Sequence, residues 1–156
     1  MVGSKPKGIS GWLNVTWRDF SRMIRVEAAD ARGVCECVTC GHRAHWSSGI
    51  IQAGHFLNYR YPMSPVRFEE TNVYPQCRHC NTVGRVATYV PRASHVQETV
   101  KMRFLTHVIK LHGMEEVERL ELLRNTGRVD YTEEKLMLMR AEYKRRADKA
   151  IKEKGL

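Results

Sequence analysis

The pattern of apolar and polar positions predicts helices in the first and last parts of the chain. The first covers 16–32, where Thr16 is a candidate N-cap and Gly33 supplies a stop. A second helix begins at about 94 and ends at Gly113, because apolar residues recur there every three or four positions. Its apolar positions are Val96, Val100, Phe104, Val108 and Leu111.

Two more helices complete the C-terminal part. One covers about 114–125, with apolar residues at inward positions. The last begins near Thr132 and runs to about 153, with acidic residues at its positive N-terminal end. Its apolar stripe consists of Leu136, Met139, Tyr143, Ala147 and Ile151. We therefore expect a helical C-terminal extension over 94–156. At the N-terminus we expect a flexible basic arm over 1–15.

The middle of the chain, 34–90, is irregular in pattern and rich in Gly, Pro, Cys and aromatic residues. Short strands are predicted near 49–56 and 66–74, and a helix should begin close to Cys77–Cys80. Such a segment is typical of a small unit in which a metal ion replaces a larger core. The fold class predicted from all of these patterns is α+β and mostly helical.

The charge of the chain adds a candidate partner. Lys and Arg number 26 against 17 acidic residues, which leaves a net charge of +9. Residues 41–110 contain nine Lys or Arg and only three acids. A basic excess of this kind favours a nucleic-acid partner, and such binding weakens steeply with salt. No run of eighteen apolar residues is present, so we expect no membrane span.

The cysteines predict a structural zinc site. Cys37-x-x-Cys40 and Cys77-x-x-Cys80 are two chelating turns, and together they offer four sulfur ligands for tetrahedral zinc. A four-cysteine site leaves no open position, so the ion would be structural rather than catalytic. Cys35 is left out, because a one-residue gap to Cys37 chelates less naturally. The odd cysteine count and the absence of a secretory signal indicate the reducing cytoplasm.

Two polar residues near the cysteines have the chemistry for cutting a phosphodiester. That reaction needs an activated water and an electrophilic metal. His55 lies between the cysteine pairs, and a neutral imidazole is a suitable base near pH 7. Asn81 directly follows the second pair, and its amide oxygen can help to hold Mg²⁺, which prefers oxygen ligands.

Four motifs carry a family resemblance. They read C-V-T-C-G at 37–41, Q-A-G-H-F at 52–56, R-F-E-E-T-N-V at 67–73 and Q-C-R-H-C-N at 76–81. With A-E-Y-K at 141–144, they resemble the phage NinG proteins, the group of the lambda Rap recombination endonuclease. The His-Asn-Asn order also resembles the wider HNH (ββα-metal) nucleases, including phage endonuclease VII.

The resemblance implies a fold and a set of roles. Residues 16–93 would hold the N-terminal helix and a zinc-stabilised ββα-metal (HNH) nuclease core. His55 would be the general base, Asn81 would bind the catalytic Mg²⁺ or Mn²⁺, and Asn72 would brace the loop between the strands. The expected activity is nicking of branched DNA such as Holliday junctions and D-loops, by a phage-encoded protein in the cytoplasm of the bacterial host.

One position departs from the wider HNH pattern. Many of those nucleases have a metal-binding Asp just before the base histidine, whereas this chain has Gly54 there, as NinG-type sequences do. Glu69 and Glu70 are candidate replacements, because they are the only acids between Cys40 and Cys80. Alternatively, phosphate oxygens and water complete the metal sphere, with His55 itself as a further candidate ligand.

The remaining expectations concern DNA contacts, assembly and rival functions. Arg67, Arg78 and Arg85 are candidate phosphate contacts. Two coordinated nicks at a junction suggest a homodimer, formed through the helices at 94–125 and 132–153. The alternatives are a general HNH nicking enzyme and a zinc-stapled DNA-binding module without nuclease activity.

Overall fold

The computed structural model describes the backbone of residues 6–85 and 94–156, and the side chains of 6–83 and 99–156. Five helices, four short strands and two 3₁₀ turns make up this part, so the fold is α+β and mostly helical, as predicted. In chain order the elements are α1 Gly8–Ala28, β1 Val34–Glu36, β2 Arg43–His45, β3 Ile51–His55, 3₁₀ turns Pro65–Phe68 and Glu70–Asn72, β4 Val73–Cys77, α2 Arg78–Arg85, α3 Ser94–His112, α4 Met114–Thr126 and α5 Glu133–Lys154.

Helix α1 is longer at its start and shorter at its end than predicted. It begins at Gly8, so the predicted arm over 1–15 is wrong for its second half. Trp12 and Leu13 are buried there and continue the apolar stripe of the helix. The helix stops at Ala28 rather than at 32, because the Asp30 carboxylate accepts hydrogen bonds from the backbone of the following turn.

Helices α1 and α5 pack along each other and form the main core. Phe20 and Met23 of α1 meet Leu136, Tyr143 and Ala147 of α5 in one buried cluster. Ion pairs at the edge of this contact join Arg140 to Asp19 at 2.6 Å and Arg146 to Glu27 at 2.7 Å. The N-terminal and C-terminal helices therefore form one support under the central strands.

The strands form two antiparallel pairs. Strand β1 pairs with β2, a hairpin too short for the sequence pattern to reveal. Strand β3 pairs with β4, with Ile51 opposite Cys77 and His55 opposite Val73, and α2 follows β4 at once. The strand predicted over 66–74 is wrong for most of its length. Those residues form the two 3₁₀ turns, and the strand lies later in the chain.

The predictions for the C-terminal helices are confirmed. Helices α3, α4 and α5 match the predicted spans, and Thr132 caps α5 by accepting a hydrogen bond from the Lys135 N–H. Leu111, one of the recurring apolar positions of α3, is 54% exposed, and Val96 lies outside the described side chains. Throughout residues 6–85 and 94–156, each helix is too short or too polar for a transmembrane span.

Candidate functional site

The four predicted zinc ligands lie together. The sulfur atoms of Cys37, Cys40, Cys77 and Cys80 are all within 4.8 Å of one another, and Cys40 and Cys77 are 3.7 Å apart. Zinc–sulfur bonds of about 2.3 Å in a tetrahedron separate the sulfurs by roughly 3.8 Å. The cluster therefore fits one zinc ion. Among the described residues it is the one group of three or more cysteines, histidines or carboxylates suited to a metal.

Local backbone geometry shapes the first chelating turn. Gly41 has a φ of 76°, a left-handed conformation that glycine adopts without strain, and its N–H donates to the Cys37 carbonyl. In the second turn, the Cys80 N–H points at the Cys77 sulfur at 3.5 Å. Burial and the neighbouring thiols raise the pKa of Cys80. A zinc ion would reverse this effect, since it binds the thiolate form.

Cys35 lies outside the cluster. Its side chain is fully buried and its thiol donates a hydrogen bond to the Arg25 carbonyl at 3.0 Å. The fifth cysteine thus ties the first strand to helix α1, and its omission from the predicted zinc site agrees with this position. None of the five cysteines forms a disulfide.

His55 ends β3 inside a ring of aromatic residues. Only 7% of it is exposed, and its Nε2 lies 3.0 Å from the Arg67 carbonyl oxygen. Because a carbonyl only accepts, Nε2 carries the hydrogen, and the neutral ring then has its basic lone pair on Nδ1. Trp17 stacks on the imidazole at 4.6 Å and Tyr59 meets it edge-on. The ring is therefore held in one orientation.

Asn72 is fully buried and connects the segments on either side of it. Its side-chain oxygen accepts from the Leu57 N–H at 2.8 Å, and its amide group donates to the carbonyls of Leu57 and Val66. The Asn72 carbonyl also accepts from the Phe56 N–H. These bonds brace the loop that follows His55, which is the structural part that the resemblance implied for Asn72.

Asn81 lies on α2, one residue past the cysteine cluster, and is 4% exposed. Its amide nitrogen donates to the Gln52 side-chain oxygen at 2.7 Å. Its own oxygen is 3.2 Å from the position that a Cβ of residue 54 would occupy. An amide oxygen of Asn81 therefore lies beside the backbone just before His55.

Glu69 and Glu70, the candidate carboxylate ligands, belong to ion pairs with the C-terminal helices. Glu69 pairs with Arg119 of α4 at 3.1 Å, and Glu70 pairs with Arg146 of α5. The guanidinium groups of α4 and α5 therefore balance the charges of both carboxylates. Both carboxylates are thus engaged with helices α4 and α5, and their role as metal ligands stays a prediction.

The three candidate phosphate contacts differ in position. Arg67 is only 6% exposed and its guanidinium lies over the Tyr59 ring, so it does not fit a surface clamp. Its part in the site is its carbonyl, which orients His55. Arg78 is exposed at the start of α2, so its guanidinium is accessible to a phosphate. The Arg85 side chain lies outside the described residues.

A basic and aromatic groove on helix α1 could not be predicted from the sequence pattern. It has a volume of about 610 Å³ and runs along α1. Its charged and aromatic lining residues are Trp17, Arg18, Asp19, Arg22, Arg25, Trp46 and Arg140, of which Asp19 and Arg140 form an ion pair. The arginines of α1 are visible in the sequence, but nothing local indicates that Trp46 and Arg140 join them.

The fold and the cysteine cluster define a small α+β protein with a site suited to structural zinc. A family model described as the bacteriophage lambda NinG protein matches residues 4–153, and the chain belongs to this NinG family. The resemblance found in the motifs is thereby confirmed at the level of the family. No curated protein matches the chain, and no solved structure matches it.

Proposed function

We propose that this protein is a metal-dependent DNA endonuclease that nicks branched recombination intermediates. One observation carries the proposal. The unit formed by β3, β4 and α2 holds an oriented histidine at the end of β3, and it places an amide oxygen of α2 beside the residue that precedes this histidine. His55 ends β3, and the Asn81 oxygen lies beside residue 54. The cysteine cluster sits where β4 meets α2, so a zinc ion would fix the relative position of the two groups.

The chain's own residues suggest how the reaction would proceed. His55 accepts a proton on Nδ1 from a water molecule, whose oxygen then bonds to phosphorus as the bond to the 3′ oxygen breaks. The Arg67 carbonyl and the Trp17 ring keep the imidazole aimed during this step. Asn81 would help to hold a Mg²⁺ or Mn²⁺ ion, which when bound stabilises negative charge on the phosphate and the leaving oxygen.

The groove along α1 supports a nucleic-acid substrate. Trp17 lines this groove and also stacks on His55, so a single side chain lies between the groove and the candidate base. Arg18 is exposed there, and Trp46 supplies a second aromatic surface. Arginines beside aromatic rings suit single-stranded or branched DNA, because unpaired bases stack on the rings and phosphates meet the cations.

Exposed apolar residues support the proposed homodimer. Among the side chains that the structure describes on α3, α4 and α5, seven large hydrophobic ones are more than a third exposed: Met102, Ile109, Leu111, Met114, Leu122, Met137 and Leu138. A second copy of the chain would cover such residues and place two sites on one junction. A chain that stays monomeric on a four-way junction would count against this assembly.

The test compares matched DNA substrates of the same sequence. Zinc-loaded protein is incubated with linear, nicked and four-way DNA and with Mg²⁺ or Mn²⁺, and the nicks are mapped on denaturing gels. We expect preferential, metal-dependent nicking of the four-way substrate. Equal rates on all three substrates would instead indicate a general nicking enzyme.

The histidine variant tests the nuclease assignment itself. His55→Asn should lower the rate by about 10²–10⁴-fold, the usual contribution of a general base, and leave junction affinity within a few-fold of wild type. Its melting temperature and zinc content serve as controls, because the ring is buried. A wild type that binds junctions but never nicks them would favour the zinc-stapled binding module. That rival gains support from the absence of a carboxylate cluster beside His55 among the described residues.

A further inference from the structure

The space beside Gly54 is filled by the side chain of Gln76. Strands β3 and β4 place Gln52 opposite Gln76, and Gln52 lies two residues before Gly54 on the same strand. A Cβ added to Gly54 would lie 2.1 Å from the Gln76 side-chain oxygen and 3.2 Å from the Asn81 side-chain oxygen. A side chain at residue 54 would therefore require the end of the Gln76 side chain to move, and two amide oxygens lie close to the backbone of Gly54.

Hydrogen bonds on the nitrogen side hold both amides. Gln76 is 2% exposed, and its amide nitrogen donates to the Thr39 hydroxyl at 2.7 Å, inside the first chelating turn. The Asn81 nitrogen donates to Gln52 in the same way. Both nitrogens are thus directed away from Gly54, and the two oxygens are directed towards it.

The oxygens form a pair that suits a hard cation. Within the part of the chain that the structure describes, no hydrogen-bond donor contacts the side-chain oxygen of Gln76 or of Asn81. Two amide oxygens that lie close to one point repel each other, and a cation or a water molecule between them removes this repulsion. Mg²⁺ and Mn²⁺ accept neutral carbonyl oxygens and fill the rest of their sphere with water and substrate phosphates.

We propose that Gln76 is the second protein ligand, beside Asn81, of the divalent cation in this site. The inference rests on the proposed nuclease function and adds a residue to it. The Gln76 oxygen occupies the region that a side chain at position 54 would otherwise enter, so it takes over the ligand role that an acid at 54 would have. Two neutral ligands bind the ion weakly without DNA, and the phosphates of the substrate strengthen the binding.

Paramagnetic broadening by Mn²⁺ tests the proposal without relying on activity. Mn²⁺ is titrated into zinc-loaded, ¹⁵N-labelled full-length protein, and broadening of the Asn81 side-chain amide is followed by NMR. Gln76→Leu keeps the approximate volume but removes the oxygen, and it should raise the Mn²⁺ concentration for half-broadening about tenfold or more. Gln76→Glu adds a charge and should lower that concentration about tenfold.

A role limited to packing gives a different result. If Gln76 only braces the chelating turn through Thr39, then Gln76→Glu should give no gain in Mn²⁺ binding, because its carboxylate accepts from the Thr39 hydroxyl and only replaces the brace. Thr39→Val removes the hydrogen bond and leaves the Gln76 oxygen. A bracing role predicts the same loss of Mn²⁺ binding as in Gln76→Leu, whereas the ligand role predicts a smaller loss. Zinc content and melting temperature are measured for each variant.

A swap of the two positions gives an independent readout. Gly54→Asp alone collides with Gln76 and should lose Mn²⁺ binding at Asn81. Combined with Gln76→Ala, the same aspartate gains room and an ion-facing position, and the binding should return to wild-type strength or better. A packing role for Gln76 does not predict this recovery.

The outcomes separate this inference from the proposed function. Wild-type protein that binds Mn²⁺ at Asn81 but is unaffected by Gln76→Leu overturns the role of Gln76 and leaves the nuclease proposal intact. Wild-type protein that shows neither broadening at Asn81 nor metal-dependent nicking overturns both. The ligand role is supported if Mn²⁺ binds more weakly to Gln76→Leu and more strongly to Gln76→Glu. It is also supported if Mn²⁺ binding recovers in the variant that combines Gly54→Asp with Gln76→Ala.

Discussion

The indole of Trp17 stacks on the imidazole of His55, with ring centroids 4.6 Å apart and planes inclined by 17°. Trp17 belongs to helix α1, whereas His55 ends strand β3, so the contact joins the helical support to the candidate base. The Arg67 carbonyl holds the edge of the same ring. Two elements far apart in sequence therefore fix the orientation of one side chain.

Removal of this stacking contact should slow DNA cleavage. Trp17→Ala should lower the rate about tenfold, because an aromatic pair contributes roughly 0.5–1.5 kcal/mol and tenfold corresponds to about 1.4 kcal/mol. Trp17→Phe retains a ring and should retain most of the activity. The Hε1 proton of His55 should also shift in the NMR spectrum of Trp17→Ala, since it loses the ring current of the indole.

Trp46 provides the matched control for this prediction. It lines the same groove but packs against His45, so Trp46→Ala should affect DNA affinity and leave the His55 resonance in place. If Trp17→Ala keeps both the wild-type rate and the wild-type His55 resonance, Trp17 has no positioning role.

The cysteines predict a clear division between zinc ligands and Cys35. Purified protein should contain one zinc per chain by mass spectrometry of the metal. Cys37→Ser should lose the zinc and unfold, because coupled zinc binding of about 10 kcal/mol or more is comparable to the whole stability of a domain. Cys35→Ala should keep one zinc and lose only about 1 kcal/mol. Loss of zinc in Cys35→Ala would mean that the fifth cysteine is a ligand.

The sequence was sufficient for the parts of the fold that depend on local signals. The two chelating turns have a fixed spacing, and helices α3 to α5 have regular apolar positions with capping residues such as Thr132. Both features can be recognised without knowledge of distant contacts. The residues His55, Asn72 and Asn81 can also be recognised from the sequence, because each lies in a short motif that carries the family resemblance.

The sequence was insufficient where distant residues decide the structure. Val66 and Phe68 alternate as in a strand, but Pro65 begins a 3₁₀ turn there and tertiary contacts bury both side chains. The proximity of Gln76 to Gly54 depends on strand register, and the Glu70 ion pair depends on α5 docking. These relationships require the folded chain, so only the family pattern could have suggested that residue 54 is special.

Substitutions of Asn72 and Asn81 should differ in their effects on stability and on activity. Asn72→Ala leaves three backbone groups, one of them buried and two partly buried, without their side-chain partner and should cost about 3 kcal/mol in the free energy of unfolding. Asn81→Ala removes one hydrogen bond, to Gln52, and should cost about 1 kcal/mol while it abolishes metal-dependent nicking. Urea denaturation and nicking rates measure the two effects. Equal losses of stability would contradict the separate roles.

The contact between α4 and the 3₁₀ turns should make stability depend on pH in the acid range. Hydrogen bonds from Arg119, with a further one from Thr71, lower the pKa of Glu116 from its ordinary value of 4.5 to about 2. The folded pKa lies below the unfolded one, so the stabilisation is present above pH 4.5. It is lost as the pH falls from 4.5 towards 2 and the carboxyl becomes protonated.

Glu116→Gln removes this charge and keeps a side-chain oxygen for Thr71. The variant should be less stable than wild type at pH 6, and the difference should shrink steadily as the pH falls below 4.5. Urea unfolding at intervals from pH 6 to pH 2.5 measures it, and acid effects common to both proteins, including loss of zinc, cancel in the comparison. Glu115→Gln, on the exposed neighbouring residue, is the control and should show no such trend. A constant difference between Glu116→Gln and wild type over this range would show that the carboxylate charge does not stabilise the α4 contact.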